Sequence, residues 1–168
     1  MRTRSMAALV VFHALLLPVQ SEACTCSWVG PLLTVGPRAE LIIRAKVLGY
    51  HGRSRGVDLA MDVEVQEVFK GATKAERIRI WGDNGSQCRP YVSGFPVQTE
   101  WIFAIGRLAG EEGRRGDYYI NGCGEYWAKV ESGSVIGRLS SPAQPAVSDK
   151  PESISLKEFR EKLRTMGR

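Results

Sequence analysis

Histidine is nearly absent from this chain of 168 residues, which holds only His13 and His51. His13 lies in an apolar stretch that reads as an export signal, so the processed protein would keep His51 alone, in the Gly-rich turn Tyr50-His51-Gly52. That excludes a zinc site built from several imidazoles. A Ser-His-Asp arrangement would rest on this one residue, and no G-x-S-x-G or similar nucleophile context accompanies it. The neighbouring carboxylates Asp62 and Glu64 alternate along a strand pattern, as on a wetted sheet face, and do not form an acid/base pair. Nothing in the residue set points to an enzyme. Apolar runs of membrane length are also lacking, since the longest, residues 6–17 (MAALVVFHALLL), suits a signal core but is too short to span a bilayer.

The beginning of the chain has the parts of a signal peptide. Arg2 and Arg4 precede the apolar run, and Ser21-Glu22-Ala23 puts small residues at the two positions a signal peptidase reads, with cleavage expected before Cys24. A lipidated Cys24 is the alternative. Against it, Glu22 suits a lipoprotein box poorly, and lipidation would leave three thiols where four form pairs. Residues 1–23 are therefore read as the signal, and the mature protein as secreted, extracellular or periplasmic. About 145 residues remain, enough for one domain with a real core. The net charge of +5 falls to +4 on losing Arg2, Arg4 and Glu22. Arg53 and Arg55, Lys70 with Lys74, Arg77 and Arg79, and Arg114-Arg115 are candidates for a polyanion or glycan patch, with solvated strand faces and loops as the plainer reading.

Four cysteines in an exported chain read as a disulfide framework with three possible pairings. Cys24 and Cys26 stand too close in an extended chain to bond readily with each other, so each is expected to reach Cys88 or Cys123. Sequence order favours Cys24–Cys88 and Cys26–Cys123. Both would close long loops and pin the mature N-terminus against two separate parts of the domain.

Residues 28–38, rich in Gly-Pro steps, read as an irregular ridge, with regular structure beginning after it. Residues 39–50 (AELIIRAKVLGY) alternate as a strand, residues 51–56 (HGRSRG) read as a polar turn, and a second long strand follows, with a phase slip at Glu67-Val68 that suggests a bulge. A third strand is expected at 77–81, then a loop over 82–96 carrying Cys88. Residues 99–108, apolar on both faces, belong in the middle of the sheet. A charged turn at 111–116, a fifth strand at 117–121 and a further short strand at 125–130 complete the pattern, with Gly122 and Gly124 allowing close backbone approach around Cys123. The fold class is thus all-β with minor α: five or six strands in a small closed or partly closed barrel over 24–140, a linker at 141–152 and a C-terminal helix at 153–168. Ser155 and Glu158 form a capping box, with Ile154 and Phe159 as a hydrophobic staple. The stripe Leu156, Phe159 and Leu163 fits docking on the barrel, or else a partner helix. Trp81, Trp101 and Trp127 read as core or barrel rim before ligand platforms. Export argues against nucleic acid and leaves glycans open.

The sequence Cys24-Thr25-Cys26 at a cleavage site, followed by LIIRAKVLGY, a polar turn, a second long strand ending VFKG, and the later Cys88 and Cys123, resembles the N-terminal inhibitory domain of the tissue inhibitors of metalloproteinases, a netrin-like (NTR) domain. The resemblance covers residues 24 to about 130. It implies an OB-fold-like five-stranded barrel, disulfides from each cysteine of the CxC to a distant partner, and a secreted metalloprotease inhibitor with no cofactor of its own. In that family the first residue sets its α-amino nitrogen and carbonyl oxygen on the catalytic zinc of the target, displacing the attacking water. Cys24 would take that role, Thr25 would enter the protease's primary specificity pocket, Cys26 would fix the ridge, and Ser27, Trp28, Val29 and Gly30 would extend the contact along the cleft, with the Cys88 region beside it. The chain departs from animal members in lacking their second, disulfide-rich domain and a further disulfide, and in carrying Trp28 where a smaller residue is usual. Two other functions stay open: a non-inhibitory binding module of the same fold, and a redox protein using the thiols of Cys24 and Cys26.

Overall fold

A computed structural model describes residues 26–109, 116–140 and 150–166. The signal and its cleavage site, Cys24, Thr25, all but the last residue of the charged turn and most of the linker lie outside the described residues. Among the described residues, no helix is long and apolar enough to cross a membrane.

The elements are α1 (Leu32–Val35), β1 (Leu41–Ser54), β2 (Val57–Lys70), β3 (Arg77–Trp81), β4 (Glu100–Arg107), β5 (Tyr118–Ile120), β6 (Trp127–Glu131), β7 (Ser134–Gly137), β8 (Glu152–Ser155) and α2 (Leu156–Met166). Hydrogen-bonded neighbours run β1-β2-β3-β5-β4, and β4 pairs back onto β1, so five strands close a barrel. The β3–β5 contact is parallel and the others are antiparallel. This is the expected all-β, OB-like barrel with minor α. Beyond the ring, the sheet continues from β4 through β6 and β7 to β8.

Side-chain alternation explains the closure. Leu41, Ile43, Ala45 and Val47 of β1 enter the barrel with Met61, Val63, Ile80, Phe103, Ile105 and Ile120. On β1 and β4 some outward positions are apolar too: Ile42, Ile102 and Ala104 form a second core with Leu32, Leu33, Ala128, Val135, Leu139 and Phe159. The full burial of residues 102–105 agrees with the central place expected for this strand.

Several boundaries differ from the sequence reading. The polar turn expected at 51–56 is mostly strand: β1 runs on to Ser54 and only Arg55-Gly56 turns, with φ of 49° and 84°. Positive φ at both central residues is what a two-residue type I′ hairpin requires. The β6–β7 hairpin, which sequence reading missed, repeats the device at Ser132-Gly133 (φ 50° and 78°). The phase slip near Glu67-Val68 resolves into two extra residues on β2, Gln66 and Phe69, which stand unpaired on either side of those two, and Leu48 is a third on β1. Residues 32–38 are not irregular. Leu32–Val35 make one helical turn, and Gly36–Arg38 a 3-10 turn, because the buried Leu32 and Leu33 hold the segment on the second core. At the other end, β8 occupies 152–155, where linker and helix were expected to meet, and α2 begins at Leu156.

Ser155 Oγ accepts the Glu158 N–H at 3.1 Å, the N-cap bond the sequence implies. Phe159 is fully buried and meets Phe69 edge-on, with centroids 5.5 Å apart. Arg160 grips Glu67 through two hydrogen bonds of 2.6 and 2.8 Å. The helix is thus docked by one aromatic and one bidentate ion pair. Replacing Phe159 with Ala should cost about 3–5 kcal/mol of stability, measured by denaturant unfolding. A loss below about 1 kcal/mol would show that α2 adds little to the second core.

Candidate functional site

Cys26, Ser27 and Trp28 are the described part of the expected site, and residues 26–30 form the ridge that carries them. Cys26 and Ser27 are exposed, Trp28 is half-buried, and Val29 is 44% exposed. Exposure is combined with firm attachment. Cys26 is bonded to Cys123, with Cα atoms 5.6 Å apart. The Val29 N–H donates to the Cys123 carbonyl at 2.7 Å, and the Glu125 N–H donates to the Gly30 carbonyl at 3.0 Å. The Leu32 and Leu33 N–H groups then donate to the carbonyls of Arg138 and Leu139, at 3.0 and 2.9 Å. The ridge is laced to 123–125 and 138–139 like a strand, although it is none.

Small residues make this approach possible. A Cβ on Gly124 would stand 2.9 Å from Val29 Cγ2 and 3.0 Å from the Gly30 carbonyl oxygen, and one on Gly122 would stand 3.0 Å from the Cys88 carbonyl oxygen. The Gly122 N–H donates to that same oxygen at 2.9 Å. Asn121 Oδ1 accepts the Cys123 N–H at 2.8 Å, an Asx turn that orients the cysteine. Sequence reading did not single out Asn121, though an Asn two residues before the cysteine in a Gly-rich turn was the available signal.

Cys88 is also disulfide-bonded; its expected partner Cys24 lies outside the described residues. The sulfurs of Cys26, Cys88 and Cys123 lie within 4.8 Å of one another, a metal-ligand spacing, but thiolates are what bind metal and all three sulfurs are in disulfides. The loop before Cys88 is ordered by its own side chains: Asp83 Oδ1 accepts the Gly85 and Gln87 N–H groups at 2.8 and 2.9 Å, and Asn84 Oδ1 accepts from the Ser86 N–H and hydroxyl at 3.1 and 2.8 Å.

Other candidates from the sequence fall into structural roles. Arg79 is held by Asp62 at 2.7 and 3.0 Å, Arg53 lies 3.9 Å from Asp58, and Lys70 donates to the Ala39 carbonyl, so three of the predicted pairs each have one cation already engaged; Arg114 and Arg115 lie outside the described residues. Trp101 and Trp127 pack edge-on against Phe95 at 5.0 and 5.7 Å, and the Trp81 indole N–H donates to Asp117 at 2.9 Å. Core and rim is the reading these contacts support.

Glu125, beside the ridge, has its carboxyl pushed above the ordinary range by burial, with the Arg138 charge pulling it back in part. A raised folded-state pKa means that the neutral form favours folding. That contribution is whole below the unfolded carboxylate pKa and is lost as pH rises through the folded value. Glu125→Gln, which stays neutral, should therefore match the native chain near pH 4 and exceed it in denaturant midpoint at pH 7. An equal midpoint at both pH values would refute the burial cost. The Cys26→Ser/Cys123→Ser double variant opens a link spanning 97 residues and should lose about 3–5 kcal/mol in the chain-entropy account, read from the same unfolding curves.

No protein-family model matches the chain, and no curated protein matches it.

Proposed function

We propose that the protein is a secreted metalloprotease inhibitor whose mature N-terminal residue, Cys24, chelates the zinc of its target. The observation that carries the reading is the ridge itself: residues 26–30 are held by the Cys26–Cys123 bond and two backbone hydrogen bonds while Cys26, Ser27 and Val29 face solvent. A segment that is both exposed and pre-ordered loses little freedom when it enters a protease cleft. The OB-like barrel is the scaffold that the sequence resemblance implies, and Cys24 and Cys88 are assigned to each other as the remaining cysteines.

In this reading the α-amino nitrogen and carbonyl oxygen of Cys24 take the open position on the target's zinc, which the protease supplies. The amine donates its lone pair only when neutral, and an ordinary α-amino pKa of about 7.7–8 allows that near neutral pH. Thr25 fills the primary pocket, and Ser27 and Trp28 line the cleft beside it. The breadth of Trp28 selects a wide cleft over a narrow one.

Intact mass under non-reducing conditions should give a chain that starts at unmodified Cys24 and lacks the hydrogens of two disulfides. A lipid adduct or another first residue would remove the chelating group and overturn the reading. Inhibition of a panel of zinc proteases should fall at least a hundredfold on acetylating the Cys24 amine or adding one Ala before it. Undiminished inhibition after either change would refute chelation. Loss of protease inhibition with other binding retained marks the amine as the inhibitory group; no inhibition by the unmodified protein would leave the barrel a binding module.

A further inference from the structure

Next to the ridge, a cleft of about 270 Å³ is walled by Arg38, Glu40, Arg107, Tyr119, Asn121 and Tyr126. It adjoins the disulfide through two of these. Asn121 holds the Cys123 N–H, and the Tyr126 ring lies 3.2 Å from where a Gly124 Cβ would stand.

The polar groups in the cleft divide into used and unused. Arg107 gives its Nε–H and its backbone N–H to the Glu40 carboxylate, and the Asn121 oxygen is taken by Cys123. The Arg38 guanidinium and the hydroxyls of Tyr119 and Tyr126 remain, and among the described residues none of the three has a hydrogen bond or ion pair. Arg44, Arg79, Arg107 and Arg160, by contrast, each hold a carboxylate. The Tyr119 hydroxyl is also fixed in place. Its ring lies across Gly106, within 2.9 Å of where a Cβ would stand, and the Arg89 guanidinium sits on it at 5.1 Å from the centroid. Burial, and after it the neighbouring Tyr119, push the Tyr126 phenol above its ordinary range against the pull of Arg38, so it remains a protonated donor at neutral pH.

We propose that this cleft binds a singly charged carboxylate. Arg38 supplies a planar fork for the two carboxylate oxygens, and the two phenols donate to the lone pairs that the fork leaves open. One charge is the right number: Arg107 is already neutralised by Glu40, whose own carboxylate repels a dianion. The site is independent of zinc chelation, since it uses none of residues 24–30. The carboxylate belongs either to an acidic side chain or to a uronic acid, which present the same group.

The test is an NMR titration of the full mature protein with N-acetylglutamate α-amide and with methyl β-glucuronide, using sodium sulfate as a third probe at matched ionic strength. Saturable shifts of the Tyr119, Tyr126 and Arg38 signals at millimolar concentration are expected with at least one carboxylate, and the tighter one identifies the source. Arg38→Met, an exposed substitution that should leave the melting temperature unchanged, should weaken binding at least tenfold, and Tyr126→Phe about threefold. No saturable shift with either carboxylate, sulfate binding as tightly as both, or undiminished affinity in Arg38→Met would each overturn the proposal.

Discussion

The pairing of β1 with β4 is the constraint on which the rest of the structure depends. Six residue pairs, from Leu41 opposite Ile105 to Lys46 opposite Glu100, close the ring. Closure removes the open edges a five-stranded sheet would otherwise present. It also brings the outward apolar residues Ile42, Ile102 and Ala104 together on the barrel wall, where water would meet them unless something lay on top. Leu32 and Leu33 come from one end of the chain and Phe159 from the other, and both ends are drawn to this wall for the same reason. The ridge stands where it does because the helical turn that follows it is a plug for the second core.

That coupling explains which features could be read from the sequence. Strand alternation from Leu41 to Val47 and from Met61 to Val65 names the barrel interior directly, and the two-sided apolar run at 102–105 names the strand that serves two cores. The Asx and Ser capping bonds at Asn121 and Ser155 are local and depend on short sequence offsets. The helical turn at 32–35 was not legible, because Gly30-Pro31 and Gly36-Pro37 give it the local signature of a loop while distant partners, Ile42, Ile102 and Phe159, hold it in place. Strand β8 was hidden for a similar reason. Four residues with alternating exposure carry little periodicity, and they become a strand only through register with β7, Val135 opposite Ile154 and Ile136 opposite Ser153. The site was legible as chemistry in its cysteines. The cleft was not, since Arg38, Tyr119 and Tyr126 come from three elements far apart in sequence.

Charge is distributed with the same economy. On the outward sheet face, cations and carboxylates face each other across strands, as Arg79 does Asp62 and Arg44 does Glu100, so the net positive charge of the chain does not gather there. The Arg44 pair is part of a small network. Burial alone would lift the Glu100 carboxyl, but hydrogen bonds from Gln66 and Arg44, with the Arg44 and Lys46 charges, carry it below the usual range. Exposed pairs of this kind add little to stability. Arg38, in the cleft beside the ridge, has no such partner among the described residues, so an incoming anion meets an unspent donor there.

Rigidity at the ridge has a cause that does not involve any partner. An exposed segment outside any strand is normally mobile, because nothing repays the entropy of ordering it. Here three independent constraints act on residues 26–35: a covalent bond to Cys123, backbone hydrogen bonds to 123–125 and 138–139, and the burial of Leu32, Leu33 and Val35. The covalent bond acts even when the hydrogen bonds open, and the buried leucines anchor the far end when the disulfide is absent. The exposed Ser27 and Val29 are therefore ordered through the backbone and its neighbours and not through their own side chains. Their outward side chains stay free for a partner while their backbone conformation is already decided, the combination a recognition surface needs if binding is not to be spent on ordering its own backbone.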